Sequence, residues 1–207
     1  MEIERLNDDY LIAHGKYPKV FFLQNHGVFV GGETTNEVKE TYRWILEKIQ
    51  ERIPTNLEIG EIPLHHSFVD VIPAIRAALS TDRLKVGKIR NNSLIQSFLD
   101  EEARLQLISG AFTPDGIVFC GSNPLVVEKY NSARETVESF RLKLAEFRKQ
   151  RGYDPKIVLL RGLGIFAPGD NLRAADIALD VFEDILKIAH YAQYFGGSNF
   201  MKHADVK

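Results

Sequence analysis

Pro18-Lys-Val-Phe-Phe-Leu-Gln-Asn-His-Gly-Val-Phe-Val-Gly-Gly32 decides how the chain is read. An apolar run, Val20 to Leu23, is broken by Gln24-Asn25-His26-Gly27. A second run, Val28 to Val30, ends at Gly31-Gly32. This pattern predicts a strand, a tight turn carrying a histidine, and a second strand. Thr34 and Glu37 then stand at capping-box spacing. Val38, Tyr42, Ile45, Ile49 and Ile53 recur at helical intervals, predicting a helix of about five turns.

The stretch occurs twice. Moved down 137 positions, it falls on Pro155-Lys-Ile-Val-Leu-Leu-Arg-Gly-Leu-Gly-Ile-Phe-Ala-Pro-Gly169. Between Pro18–Glu33 and Pro155–Asp170, six of sixteen positions are identical, where average residue usage predicts about one. Upstream, Gly15 falls on Gly152 in a shared Gly-x-x-Pro-Lys. Downstream, Asp170-Asn171 caps a second helix through Ala174, Ile177, Ala178, Val181, Ile185, Ile188 and Ala192. One supersecondary unit used twice accounts for this pattern. The main difference lies at the turn, where Asn25-His26 in the first copy becomes Gly162-Leu163 in the second.

Working outward, the 207 residues are 44% hydrophobic and 26% charged, the balance of an ordinary globular protein. A net charge of −2 gives no basic footprint for nucleic acid. The single cysteine, Cys120, leaves no internal disulfide and fits a reducing cytoplasm. No apolar run reaches membrane-spanning length, and the first residues do not form a signal peptide, so a cytoplasmic protein is expected. Met1 corresponds to Glu138, inside the long helix of the second copy. The first copy therefore enters partway along an element, as in a piece of a longer protein or a naturally reduced one.

Residues 54–66, with two prolines and a glycine, read as a linker. A short helix is expected over 67–79 despite Pro73. Asn91-Asn92-Ser93 caps a helix running on to Ile108, stopped by Gly110. Thr113-Pro-Asp-Gly116 reads as a turn into a short buried strand, Ile117–Cys120. Over 126–150, Tyr130, Ala133, Val137, Phe140, Leu144 and Phe147 form one apolar helix face, suited to packing on the domain's own sheet, with a coiled-coil partner helix as the alternative. Strands alternating with helices give an α/β layered architecture.

Six histidines are present. His14, His190 and His203 lie in helices or the tail and read as solvated or satisfied. His65-His66 looks like a metal pair, but neighbours in extended chain point to opposite sides. His26 differs, because a turn between two strands fixes its ring as a first-row metal ligand requires. A lone histidine still makes no site, since zinc needs three protein ligands and an open position. Gly162-Leu-Gly164-Ile-Phe-Ala167 matches a dinucleotide fingerprint. That reading is rejected, because Pro168-Gly169 intervene before the helix that would hold a pyrophosphate. Cys120 reads as a small core residue.

Leu23-Gln-Asn-His-Gly-Val-Phe-Val-Gly-Gly32, with its capped helix, resembles the Asn-His-Gly signature of the class II aldolase/adducin family. Thr113-Pro-Asp-Gly-Ile-Val-Phe-Cys120, Pro124-Leu-Val-Val127 and the Arg-Gly-Leu-Gly-Ile-Phe turn resemble the later part of the large rhamnulose-1-phosphate aldolase-like members, some fused to a short-chain dehydrogenase. The resemblance implies a three-layer α/β/α class II aldolase-like fold, an incomplete first copy followed by a degenerate second copy. Residues 1–53 would be the C-terminal part of an aldolase domain, 54–66 a linker and 67–207 the degenerate repeat.

It further implies a Zn2+ ion bound by a His-x-His pair and by His26, with a nearby glutamate as acid/base. The implied activity is retro-aldol cleavage of a ketose 1-phosphate to dihydroxyacetone phosphate and an aldehyde, in a homo-oligomer acting on a sugar phosphate. No His-x-His occurs in the chain, and only 25 residues precede His26. This chain alone is therefore expected to be inactive, no catalytic residue is assigned, and His26 is the one metal-ligand candidate. A non-catalytic interaction module, as in the adducin branch, is the other reading. An exposed apolar surface is expected where first-copy elements are missing.

Overall fold

The computed structural model describes residues 2–64, 66, 68–129 and 131–201. His65 of the histidine pair, Tyr130 of the apolar helix face and His203 lie outside the described residues. The chain divides into two compact units between Asn56 and Leu57.

The smaller unit is one helix–hairpin–helix. Helix α1 (Glu2–His14) stops at Gly15, whose φ of +67° is a left-handed conformation. Strands β1 (Val20–Leu23) and β2 (Gly27–Val30) form an antiparallel hairpin with Val20 opposite Val30. Helix α2 (Thr35–Gln50) follows, with the Thr34 side chain accepting the Glu37 N–H at 3.2 Å. The Glu37 carboxylate reaches back to the Glu33 N–H at 2.8 Å, one residue ahead of the cap. Ile45 is the one large apolar side chain of this unit buried among the described residues.

The larger unit carries α3 (Phe68–Ala78), β3 (Val86–Arg90), α4 (Ser93–Asp100), α5 (Glu102–Gln106), α6 (Pro114–Cys120), β4 (Leu125–Val127), α7 (Ala133–Arg151), β5 (Val158–Leu160), β6 (Gly164–Gly169) and α8 (Leu172–Ala192). Its four strands run in the order β3-β6-β5-β4. The β3/β6 and β5/β6 pairs are antiparallel and β4/β5 is parallel, so the sheet is mixed.

Strand alternation sends side chains to two cores. Ile157, Leu159, Ile165 and Ala167 face α4, α5, α6 and α8. Val158, Leu160 and Phe166 face α3 and α7, joined by Leu125 and Val127. The result is the three-layer α/β/α arrangement expected. Phe140, Leu144 and Phe147 of α7 pack on this sheet, as their spacing predicted, and are not presented to a partner helix.

Four local readings are corrected. Ile117–Cys120 is helix, not strand: Thr113 caps α6 by accepting the Gly116 N–H at 3.1 Å, and Pro114 stands at the first helical position. A Thr-Pro-Asp start serves a helix as well as a turn, and Gly116 lets α6 approach Ile185 of α8. The helix expected from Asn92 to Ile108 is two helices, interrupted where Glu101 turns extended at φ −116°, ψ 119°. Helix α7 begins at Ala133, and 125–127 is strand. In α8 the buried face is Ala175, Ala178, Leu179, Phe182, Ile185, Leu186 and Ala189, rotated from the predicted one, and Ala174 and Ile188 are exposed.

Strand β3 was not anticipated, because Val-Gly-Lys-Ile-Arg lacks a run of apolar residues. Within the predicted linker, Gly60 N–H donates to Ser93 Oγ at 2.9 Å, Glu61 bridges to Asn92, and Leu57 packs against the core.

Phe166 is fully buried, whereas Phe29, its counterpart in the first copy, is 53% exposed. Phe166→Ala should therefore cost about 3–5 kcal/mol of unfolding free energy. Phe29→Ala should cost no more than about 0.5 kcal/mol. Urea denaturation of the two variants checks the difference.

Candidate functional site

The candidate site is the corner between the two strands of each copy. In the first, the His26 N–H donates to the Leu23 C=O at 3.1 Å, Asn25 is left-handed at φ +57°, and Gly27 sits at φ +146°. In the second, the Leu163 N–H donates to the Leu160 C=O at 3.0 Å, Gly162 has φ +74°, and Gly164 has φ +143°. Leu23 lies opposite Gly27 as Leu160 lies opposite Gly164. The two corners share their hydrogen bond, their strand register and positive φ at the same two positions. Asn25 can replace Gly162 because asparagine tolerates the left-handed region better than other side-chain-bearing residues.

The position between the two special residues differs in environment. His26 is exposed, its ring stacked on Phe29 with centroids 5.9 Å apart and planes 17° from parallel. Leu163 packs against the core formed by α3, α7 and the sheet. The polar ring is thus out and the apolar side chain in.

No group of three histidine, cysteine, aspartate or glutamate side chains able to hold a metal occurs among the described residues. His14 contacts Tyr10, at a centroid separation of 4.2 Å, and His66 is exposed. Neither joins His26 in a donor set. One imidazole on an exposed turn supplies one of the three protein ligands that zinc needs, so this chain by itself does not fit the ion.

The second corner borders a cavity of about 360 Å³, lined by Lys129, Ser132, Thr136, Arg161, Gly162 and Leu163 among others. Arg161 pairs with Glu102 and lies 3.3 Å from Glu128, which also lies 3.7 Å from Lys143. The sequence reading missed this cluster, whose members are scattered over 60 residues and meet only through the fold.

Cys120 donates to the Ala178 C=O at 3.3 Å, and burial pushes its thiol up to about 12, which removes it as a nucleophile. His190 also proves to be engaged. Its Nδ1 lies 3.0 Å from an Arg104 guanidinium nitrogen, and that guanidinium lies over the Phe98 ring at 4.7 Å. Burial, and secondly the Arg104 charge, hold the imidazole below its usual range.

Residues 66–206 match the sequence model for "Aldolase class II, second domain". No curated protein matches the chain by sequence. Among solved structures, the chain is similar to YgbL of Escherichia coli, with a TM-score of 0.52 and 17% identity over 68% of this chain and 63% of that one. It is also similar to a sugar-phosphate aldolase of Thermotoga maritima, with a TM-score of 0.51 and 20% identity over 64% of this chain and 56% of that one. At these identities the likeness is one of fold. The chain spans less than two thirds of either protein's length.

The Arg104–His190 contact has a pH signature. With the native pKa below the unfolded one, the unfolded chain takes up the proton first as pH falls through about 6.5, so stability drops on acidification. His190→Gln keeps an acceptor for Arg104 and cannot be charged. Comparing urea midpoints at about pH 7.5 and about pH 5.5 should show a smaller acid loss in the variant.

Proposed function

The chain belongs to the class II aldolase family, and on that premise we propose that it forms part of a zinc-dependent sugar-phosphate aldolase. In this reading, residues 1–53 are the end of the metal-bearing domain, 54–66 a linker, and 67–207 a degenerate repeat. The complete protein would cleave a ketose 1-phosphate to dihydroxyacetone phosphate and an aldehyde, as a cytoplasmic homo-oligomer.

One observation carries this reading. His26 stands exposed on a corner whose backbone matches the second corner, and the matching position there is Leu163. The hairpin holds the imidazole at a fixed place, with the ring against Phe29 and free of the core. That is what a metal ligand needs from its scaffold. The remaining donors and the acid/base are not among the described residues, so no catalytic step is assigned to this chain.

A non-catalytic adducin-like interaction module is the second reading. It is favoured by Leu163, which closes the second corner with an apolar side chain.

Two measurements separate these readings. Zinc content and retro-aldol turnover on ketose 1-phosphates should both be absent in the isolated chain. A longer natural form carrying a His-x-His pair and a glutamate ahead of this sequence should bind one zinc per chain and turn over. In that form, His26→Ala should lower turnover by at least about a hundredfold, the upper end of the cost of disturbing a ligand's outer sphere. Tight stoichiometric zinc in the isolated chain contradicts the proposal, and a longer form without zinc or turnover selects the interaction module.

A further inference from the structure

The repeat makes the larger unit a measure of what the smaller one lacks. Positions 137 apart compare a side chain in one copy with its counterpart in the other. Phe22 is 70% exposed where Leu159 is 1%, and Ile3 is 48% exposed where Phe140 is 0%. Tyr10, Tyr42 and Ile49 are likewise exposed, whereas Phe147, Leu179 and Leu186 are buried. Phe29 against Phe166 completes the series. Phe22, opposite Val28, and Phe29, opposite Phe21, point to the two faces of the hairpin.

The groups that bury the counterparts come from one stretch of chain. Phe140, Phe147 and Phe166 are covered by Val71, Ile75, Leu79, Leu125 and Val127. Leu159, Leu179 and Leu186 are covered by side chains of α4, α5 and α6. All of these elements fall within residues 57–127, and the smaller unit has no equivalent of them.

The backbone shows the same deficit. Among the described residues β1 and β2 pair only with each other. The Gly31 N–H donates to the Lys19 C=O at 2.8 Å, and antiparallel alternation from there turns the peptide groups of Val20, Phe22, Val28 and Val30 outward, where among the described residues the Val28 C=O accepts only the Tyr42 hydroxyl, at 3.3 Å. In the larger unit the corresponding edges are filled. The Leu125 N–H donates to the Ile157 C=O at 2.9 Å, and the Arg161 N–H donates to the Val127 C=O at 3.0 Å. On the other side, β3 pairs with β6 from Val86 opposite Gly169 to Arg90 opposite Ile165.

We propose that residues 2–53 are the docking half of a composite domain. Their partner is a polypeptide stretch patterned like residues 57–132. It lays one strand parallel to β1 against Phe21–Leu23, one strand antiparallel to β2 against Val28–Gly32, and an apolar helix layer on each face. The registers follow from the pairings of β4 with β5 and β3 with β6. A second copy of the hairpin fits less well. Edge-to-edge pairing of two hairpins closes one edge in each, leaves the outer edges unpaired, and brings no helices to Phe22 or Phe29. The proposal rests on reading residues 1–53 as part of a larger domain but on no chemistry at His26, so zinc and turnover measurements fail or succeed independently of it.

The test uses the full chain and one fusion. Glu138 occupies the place of Met1, so residues 57–138 joined directly to Glu2 give the first copy the chain path that precedes the second. Hydrogen–deuterium exchange reads the outward amides of Phe22, Val28 and Val30. In the full chain alone they should exchange as unprotected amides. In the fusion they should exchange at least about tenfold more slowly, and Phe22→Asp in the fusion should restore fast exchange. Unchanged exchange in a folded fusion overturns the proposal. So does slow exchange in the chain alone, whether it sediments as a monomer, which assigns the cover to its own residues, or as a dimer, which assigns it to a second copy. The measurement on the chain alone stands whether or not the fusion folds.

Discussion

The strand corner is the constraint on which the larger unit depends. Gly162 and Gly164 take backbone conformations that side chains resist, and a Cβ on Gly164 would lie 2.6 Å from the Arg90 carbonyl oxygen. The corner therefore fixes both the turn and the approach of β3. It also fixes register. A slip by one residue would exchange the two faces of β5 and β6, sending Val158 and Leu160 to the core meant for Ile157 and Leu159. Two cores on opposite faces of one sheet hold only if that turn is made as it is.

Outside the corner, β3 shows how an exposed sheet edge is kept from pairing further. Its basic residues and their neighbours meet the acidic side of α8 and Asp170 just ahead of that helix. Lys85 lies 2.6 Å from Asp170, Lys88 pairs with Asp176, and Arg90 lies 2.6 Å from Asp180. Asn92 donates to Glu183 at 3.1 Å. Each exposed pair contributes about 0–1 kcal/mol. Charged side chains along an edge strand act chiefly against the wrong partner. Among the described residues the first copy has the Lys19–Glu37 pair beside its hairpin but no such row, and Phe22 and Phe29 stand open there.

Legibility in the sequence followed the distance over which each signal acts. The caps Thr34, Asn92 and Asn171 were readable, because a side chain bonding a backbone group three residues on is a local event. Both corners were readable because the repeat doubled the signal. Strand β3 was not, since Lys88 and Arg90 look like surface charge until Asp176 and Asp180 arrive from some ninety residues away. The Ile117–Cys120 segment misled because four apolar residues after a turn-like Thr-Pro-Asp suit strand and helix alike; contact of Gly116 with Ile185 belongs to the helix. The Arg161–Glu128–Lys143 cluster had no local signature at all.

The corner position itself shows how one backbone serves two purposes. An imidazole buried without a partner loses its hydration and gains nothing in return, whereas a leucine exposed on a turn forfeits apolar burial. The second corner is enclosed by helices on the sheet's α3/α7 side, and leucine is the residue that enclosure favours. The first corner stands open, and histidine is suited to it on the same grounds. Similar φ angles on either side do not select between the two side chains; the surroundings do. The difference between Leu163 and His26 is therefore a statement about what covers each corner, and an open corner with a fixed imidazole can still present that ring to something arriving from outside.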